Sequence, residues 1–223
     1  MSEILAYLIE PYKTYETFQI ILECIAAFLG IASVFFSMKR NIWVYPTGIV
    51  STFLYIYLYF NWGLYGESLI NFYYTIMSVY GWILWRKNTE EDHVHVQVYW
   101  ASKQDYLKAA GLFVFTFLFI LAVYYYRPLI DSGFNFALDH ELGFFYTAVD
   151  YIDASLTGIF LIGMWMMAKQ KVDNWIFWII GDLIMIPLLL YKGYAISSIQ
   201  YLVFTILAVK GLIEWKKNAR MSQ

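Results

Sequence analysis

Charge is scarce in this sequence: 14% of its 223 residues are Asp, Glu, Lys or Arg, against roughly 25% in ordinary soluble domains. Cysteine is scarcer still, and the lone Cys24 excludes an internal disulfide framework or a cysteine-based zinc site. No G-x-x-x-x-G-K-[ST] occurs, so the chain has no P-loop and is not by itself an ATP-driven pump. A net charge of −2 leaves no basic field for gripping nucleic acid. Met1 to Lys13 lacks a basic n-region and a small-residue cleavage pattern, so no removable signal peptide is expected. What is abundant is apolar: 61% hydrophobic and 22% aromatic residues. A soluble fold of this size could not hide so much in one core. The bilayer has to serve as solvent for most of it.

A helix crossing the hydrocarbon layer needs about 20 mostly apolar residues. Seven stretches fit: Phe18–Met38, Ile42–Phe60, Ser68–Trp85, Tyr106–Tyr126, Tyr151–Ala168, Trp175–Tyr191 and Tyr194–Trp215. Trp and Tyr crowd their boundaries, as interfacial anchors do. The implied organisation is an outer segment 1–17, a three-helix unit 18–85, a cytoplasmic loop 86–105, a linker helix 106–126, an outer loop 127–150, a second three-helix unit 151–215 and a cytoplasmic tail 216–223. With seven spans the termini lie on opposite sides. The N-terminal side carries only Lys13, Arg127 and Lys192, whereas eleven basic residues, among them Lys39, Arg40, Arg86 and Lys87, fall on the other. Positive residues stay inside, so the N-terminus is expected outside and the C-terminus in the cytoplasm.

The 86–105 loop mixes charges around His93 and His95 and reads as a hydrated loop rather than a metal site. His140 lies in the outer loop beside Phe134, Phe136, Leu138 and Leu142, a pattern suited to lying along the membrane surface.

The chain also repeats itself. Gly81-Trp-Ile-Leu-Trp-Arg-Lys-Asn88 is similar to Gly211-Leu-Ile-Glu-Trp-Lys-Lys-Asn218, and the same offset pairs Thr75 with Thr205, Ser68 with Ser198 and Gly63 with Gly193. A further shift of two residues pairs Trp43 with Trp175. Spans one to three thus look like spans five to seven. Three helices plus one linker return the second copy in the same orientation, which makes the repeat parallel. Internal repeats of this kind mark transporters, whose substrate sits near the midplane between halves.

Charged groups at bilayer depth default to functional hypotheses. Asp182 is the clearest. At about 100° per residue, Trp175, Trp178 and Asp182 fall within one sector of about 60°. Two indoles and a carboxylate on one stripe suit a flat aromatic cation. Span seven adds Ser197, Gln200 and Phe204, and span three offers Glu67, Asn71, Tyr74 and Ser78 on one face. Their amides and hydroxyls can bond sugar hydroxyls or an amide substituent, or glue helix to helix. Glu23, Asp153, Lys108, Lys210 and Glu214 lie near span ends and can snorkel. Gly181 and Pro187 are placed to bend span six.

Trp175-x-x-Trp178-x-x-x-Asp182, the Ser197-Ser-Ile-Gln-Tyr201 start of the last span and the paired G-x-x-x-W endings resemble the Pnu-type vitamin transporters, most closely their nicotinamide riboside members. The resemblance runs over spans one to seven. It implies an all-α integral membrane fold with seven transmembrane helices in a 3+1+3 parallel repeat, similar to full-length SWEET transporters, assembled as a homotrimer in a bacterial inner membrane. It implies uptake of nicotinamide riboside by facilitated diffusion, made one-way by a cytoplasmic nicotinamide riboside kinase that feeds NAD synthesis. No cofactor and no metal are implied. Asp182 would complement the pyridinium charge, the two indoles its ring, and Gln200 and Asn71 its hydroxyls. Thiamine, also a flat cation, is the second candidate cargo; riboflavin is neutral and gives Asp182 less to do. The first half lacks a second W-x-x-W, since Trp43 is followed by Pro46, so the site should be asymmetric.

An intramembrane aspartyl protease would need a Gly-x-Gly-Asp context, but Ile179-Ile-Gly-Asp182 lacks the first glycine and Asp150-Tyr151 reverses the companion motif. No histidine lies within a span to act as a base. An enzyme is not expected; a channel would differ from a carrier in failing to saturate. The topology is directly testable: a cysteine placed in the 86–105 loop of a Cys24→Ser background should resist an impermeant thiol reagent in intact cells. Labelling without permeabilisation would reverse the orientation.

Overall fold

A computed structural model of the chain describes residues 16–61, 65–91, 93–136, 146–191 and 195–220, and for 65–67, 195–197 and 220 the backbone only. Among the described residues there are eight helices: α1 (Thr17–Met38), α2 (Val44–Asn61), α3 (Tyr65–Lys87), α4 (Lys103–Tyr125), the short α5 (Arg127–Asp131), α6 (Ala148–Ala168), α7 (Asn174–Tyr191) and α8 (Ala195–Asn218). Two short strands, β1 (Val98–Tyr99) and β2 (Ala219–Arg220), pair in parallel. Five helices, α1, α4, α6, α7 and α8 from Ser198 on, are long and apolar enough to cross a membrane. The other two expected spans, α2 and α3, are diluted by tyrosines such as Tyr45, Tyr55, Tyr57 and Tyr59, yet they expose Val50, Phe53 and Phe60, and Leu69, Phe72 and Ile76. Pro46 falls in the first turn of α2, where its missing N–H costs nothing, and α7 runs unbroken through Pro187.

One fixed offset of 130 relates the helix ends: Met38 to Ala168, Val44 to Asn174, Asn61 to Tyr191 and Tyr65 to Ala195. The two-residue shift that paired Trp43 with Trp175 is therefore corrected: Tyr45 holds the place of Trp175, and Trp43 that of Asp173. The turns after α1 and α6 are built alike. Arg40 and Gln170 both stand at φ 59°. Arg40 N–H donates to Ser37 O and Asn41 N–H to Phe36 O, each 2.9 Å, matched by Gln170 to Met167 and Lys171 to Met166 at 2.9 Å. This is the paired closure of a Schellman end, which ordinarily favours glycine. A long polar side chain is used instead, and both side chains are engaged (below).

Where the repeats meet, four buried rings form a row that reads the same from either end. Tyr45 meets Trp85 edge-on at 5.0 Å, Trp85 meets Trp215 at 5.8 Å, and Trp215 meets Trp175 edge-on at 5.5 Å. The two central indoles exchange hydrogen bonds across the seam. Trp85 Nε1 donates to Met167 O (3.1 Å), and Trp215 Nε1 donates to Ser37 O (2.8 Å). Ser37 and Met167 are themselves repeat partners, and the Ser37 hydroxyl reaches Met167 Sδ at 3.2 Å. The seam is a pseudo-two-fold contact. α1 packs on α2, α2 on α3, α7 on α8, and α1 on α8 across the boundary.

The segment after α3 is not the hydrated loop expected from its charges. Val96 and Val98 are fully buried, and residues 88–91 and 93–101 form a strap across both repeat turns. Ile42 N–H donates to Val94 O and Val96 N–H to Arg40 O, while Tyr99 N–H donates to Gln170 O and Val172 N–H to Tyr99 O. The strap meets Asn41 antiparallel and Lys171 parallel. A single strand lying across a two-fold axis must meet the two related segments in opposite senses, and it does. Arg40 Nη1 pairs with Glu90 at 2.7 Å and donates to Val96 O; Asn88 Nδ2 donates to Gln170 Oε1 at 3.0 Å. The end is pinned by Ala101 N–H on the buried Asp173 carboxylate, 2.7 Å. His93 and His95 belong to this strap, and no cluster of metal-binding side chains occurs among the described residues.

Residues 102–162 form a separate compact unit. Its two long helices, α4 and α6, begin at capping boxes. The Ser102 hydroxyl accepts from Asp105 N–H while the Asp105 carboxylate accepts from Ser102 N–H, and Thr147 with Asp150 repeats the arrangement. Phe113 lies over Gly158, where a Cβ would stand 2.8 Å from the ring, and Tyr146 donates its hydroxyl to Leu121 O. His140, Leu138 and Leu142 lie outside the described residues.

The ring row makes a stability prediction. A Cβ at Gly81 would stand 2.5 Å from the Tyr45 hydroxyl oxygen, and one at Gly211 would stand 2.6 Å from the Trp175 ring, whereas Gly111 in α4 has nothing within 4 Å. Gly81→Ala and Gly211→Ala should each cost about 1–3 kcal/mol by overpacking. Gly111→Ala should stabilise by roughly 0.5–1 kcal/mol through helix propensity. Thermal unfolding in detergent reads the opposite signs directly.

Candidate functional site

The two repeats share a frame but fill one position of it differently. In the first, α1 and α2 approach closely because Gly48 faces Ser33, whose Oγ lies 2.9 Å from where a Cβ would stand. In the second, the sizes are exchanged. Gly163 on α6 stands in place of Ser33, and Trp178 on α7 replaces Gly48, its indole seated 3.1 Å from where a Gly163 Cβ would be. One turn further on, Thr52 and Thr75 bridge α2 and α3 through their hydroxyls at 2.7 Å. The position equivalent to Thr52 is Asp182. The Thr205 hydroxyl, equivalent to Thr75, donates to Tyr201 O within its own helix at 2.9 Å.

Asp182 is 3% exposed, midway along α7. Among the described residues no hydrogen bond or salt bridge reaches its carboxylate, but it lies within electrostatic reach of the hydroxyls of Tyr74 on α3 and Tyr201 on α8. Tyr74 packs against Trp178 with ring centroids 6.4 Å apart, and beside Tyr73 at 5.9 Å. Tyr201 meets Phe204 edge-on at 5.9 Å and lies within electrostatic reach of Tyr55 from α2. The first repeat thus contributes Tyr74 and Tyr55, and the second Trp178, Asp182 and Tyr201. A buried carboxylate within electrostatic reach of two tyrosines, on a helix whose own residues include no Lys or Arg, is chemically suited to a cation.

Trp175, Trp178 and Asp182 have different packing neighbours. Trp178 and Asp182 join Tyr74, whereas Trp175 is 2% exposed in the seam, edge-on to Trp215 and over Gly211. Helical phase alone could not separate them, because the neighbours of the two indoles come from different helices. Asn71 is half-buried on α3, one turn before Tyr74, and its carbonyl accepts from Thr75. Gln200 is half-buried and makes no hydrogen bond among the described residues. The side chains of Glu67 and Ser197 lie outside the described residues. Ser78 is buried where Gly48 meets α3, its Oγ 3.7 Å from that glycine's missing Cβ, and serves helix packing. Sequence reasoning gave no role to Tyr201, Tyr55 or Gly163. Tyr201 could have been found one turn past Ser197 on the same face; Gly163 had no signal short of the fold.

Comparison with known proteins agrees with this architecture. Residues 20–217 match the family model for nicotinamide mononucleotide transporters. The nicotinamide riboside transporter PnuC of Escherichia coli is 22% identical over 89% of this chain and 86% of its own length. The riboflavin/roseoflavin transporter RibM of Streptomyces davaonensis is 21% identical over 95% of this chain and 92% of its own length. The crystal structure of the vitamin B3 transporter PnuC superimposes with a TM-score of 0.65 at 22% identity, covering 96% of this chain and 88% of that one, so the fold is shared. The chain belongs to the nicotinamide mononucleotide transporter family of multi-pass membrane proteins.

Proposed function

We propose that this protein carries nicotinamide riboside across a bacterial inner membrane by facilitated diffusion. In this reading seven helices span the bilayer as a 3+1+3 parallel repeat, residues 18–85 and 151–215 joined by the helix at 106–126. The N-terminus lies outside and the C-terminus in the cytoplasm. The chain works as a homotrimer, and a cytoplasmic kinase makes uptake one-way by phosphorylating the cargo. One observation carries the reading: the buried Asp182, within electrostatic reach of Tyr74 and Tyr201 and with no salt bridge among the described residues. Nicotinamide riboside is a pyridinium bearing a ribose and an amide. Its charge suits Asp182, its ring suits Trp178 and Tyr74, and its polar groups suit Gln200, Asn71, Tyr201, Ser197 and Glu67. Trp175 supports α7 from behind. The kinship with RibM keeps other vitamins in view, but a neutral isoalloxazine leaves the carboxylate unbalanced. Thiamine, a cation, is the stronger rival.

Calorimetry on purified protein tests the site. Asp182→Asn keeps size and hydrogen bonding but removes the charge, and should weaken nicotinamide riboside binding by ~1–2 kcal/mol while narrowing its advantage over neutral analogues. Trp178→Ala removes a stacking face worth about 1–3 kcal/mol, or roughly 5- to 150-fold in affinity. Trp175→Ala should instead lower the melting temperature, since emptying a buried indole site costs about 3–5 kcal/mol. Cargo binding unchanged in Trp178→Ala would remove that indole from the site.

Transport energetics give a second test. Among the described residues Asp182 belongs to no cluster of carboxylates, which favours transport without ion coupling. Cargo should equilibrate across proteoliposomes without accumulating until a nicotinamide riboside kinase and ATP are enclosed. Accumulation driven by a proton or sodium gradient alone would reassign Asp182 to ion coupling.

A further inference from the structure

The repeat exposes a departure outside the aromatic site, at the end of the helices where Lys39 follows α1. Lys39 and Lys169 are partners at the fixed offset, and each follows the last residue of its helix. Lys169 is covered from within the protein, its Nζ 5.4 Å from the centre of the Tyr80 ring. The position equivalent to Tyr80 is Lys210. Lys39 therefore faces a second ammonium where Lys169 meets a ring. The two lysines, with Met38, Ile213 and Glu214, line a groove of about 220 Å³ between α1 and α8. Both lysines are exposed and neither makes an ion pair among the described residues, although Glu214 shares the groove.

Depth and surroundings identify the occupant. The Lys210 Cα lies eight residues before the end of α8, which is about 12 Å along the helix axis. Its ammonium nevertheless shares a groove with Lys39, a residue that stands at a helix terminus, so the groove sits where a span reaches the membrane boundary. Above it, Phe35 and Ile31 of α1 and Val209 and Ile206 of α8 are exposed. These form an apolar track leading from the charged groove towards the membrane interior. Two ammonium groups and one carboxylate, opening onto such a track, match a headgroup that carries both a phosphate and a cationic hydrogen-bond donor.

We propose that the Lys39–Lys210–Glu214 groove binds phosphatidylethanolamine, with the lysines on its phosphodiester, Glu214 on its ammonium and its acyl chains along Phe35, Val209 and Ile206. The site exists once per chain, because Tyr80 closes its counterpart. Native mass spectrometry tests this on the full-length protein in mild detergent, titrated with phosphatidylethanolamine, phosphatidylcholine and phosphatidylglycerol of matched chains. A lysine near a phosphate contributes about 1 kcal/mol, or roughly fivefold in retention. Lys39→Gln and Lys210→Gln should each lower phosphatidylethanolamine retention by about that factor, and Lys169→Gln should not. Phosphatidylcholine, which has the phosphate but no N–H, should be retained less, and Glu214→Gln should remove the preference for phosphatidylethanolamine over phosphatidylglycerol. Lys210→Tyr copies the other repeat, so it should keep the melting temperature of the parent while losing the lipid. Equal retention of phosphatidylethanolamine and phosphatidylcholine, or retention unchanged in both lysine variants, would overturn the proposal. So would a lower oligomer mass in Lys210→Gln with lipid retention intact, since a second copy of the chain would then cover the groove.

Discussion

The seam between the repeats rests on two carbonyl groups left over at helix ends. An α-helix finishes with carbonyls that have no partner in the next turn, and in a membrane protein water is a poor remedy. Ser37 O and Met167 O each accept one bond from their own turn, from Arg40 and Gln170. The second acceptor site of each is filled only from across the seam, by an indole of the opposite repeat. The ring row, the glycines that admit it and the strap that covers it all follow from bringing those two helix ends together.

Against this shared frame, the departures from symmetry carry the chemistry. Gly48 becomes Trp178, Ser33 becomes Gly163 and Thr52 becomes Asp182, so a close-packed, hydroxyl-bridged helix contact gives way to an indole and a buried carboxylate within electrostatic reach of Tyr74 and Tyr201. Trp43, exposed at the start of α2, becomes the buried Asp173 that holds the end of the strap. The frame contributes stability and can be built twice. Only the second repeat carries a carboxylate at the position of Asp182, where the first has Thr52.

Much of this was legible in the residues. The apolar content and the tyrosine- and tryptophan-rich boundaries pointed to a helical membrane protein, and the two G-x-x-x-W-[RK]-K-N endings exposed the repeat because the same seam constrains both. Asp182 stood out because an ionised group in hydrocarbon is costly. Other features were hidden for physical reasons. The strap looked hydrated because of charges such as Glu90, but Glu90 pairs with Arg40 of the turn after α1 at 2.7 Å while Val96 and Val98 go inwards. Trp175 and Trp178 looked equivalent because a helical wheel records direction and not neighbours. The small shift that paired Trp43 with Trp175 followed residue identity, whereas the fold conserves position and puts Tyr45 there.

The exchange of indole donors across the seam has the form of an isologous contact, the kind by which two identical chains close into a dimer. A free three-helix half could meet a second copy of itself through the same four groups, both inserted in one orientation, with no linker helix. Fusing the halves end to end puts α4 between them in the chain. It also leaves only one strap, since residues 88–101 exist once and must serve both turns. Once that strap had to lie antiparallel to one half and parallel to the other, the halves were no longer interchangeable, and each was free to acquire side chains that a true homodimer would have had to display twice.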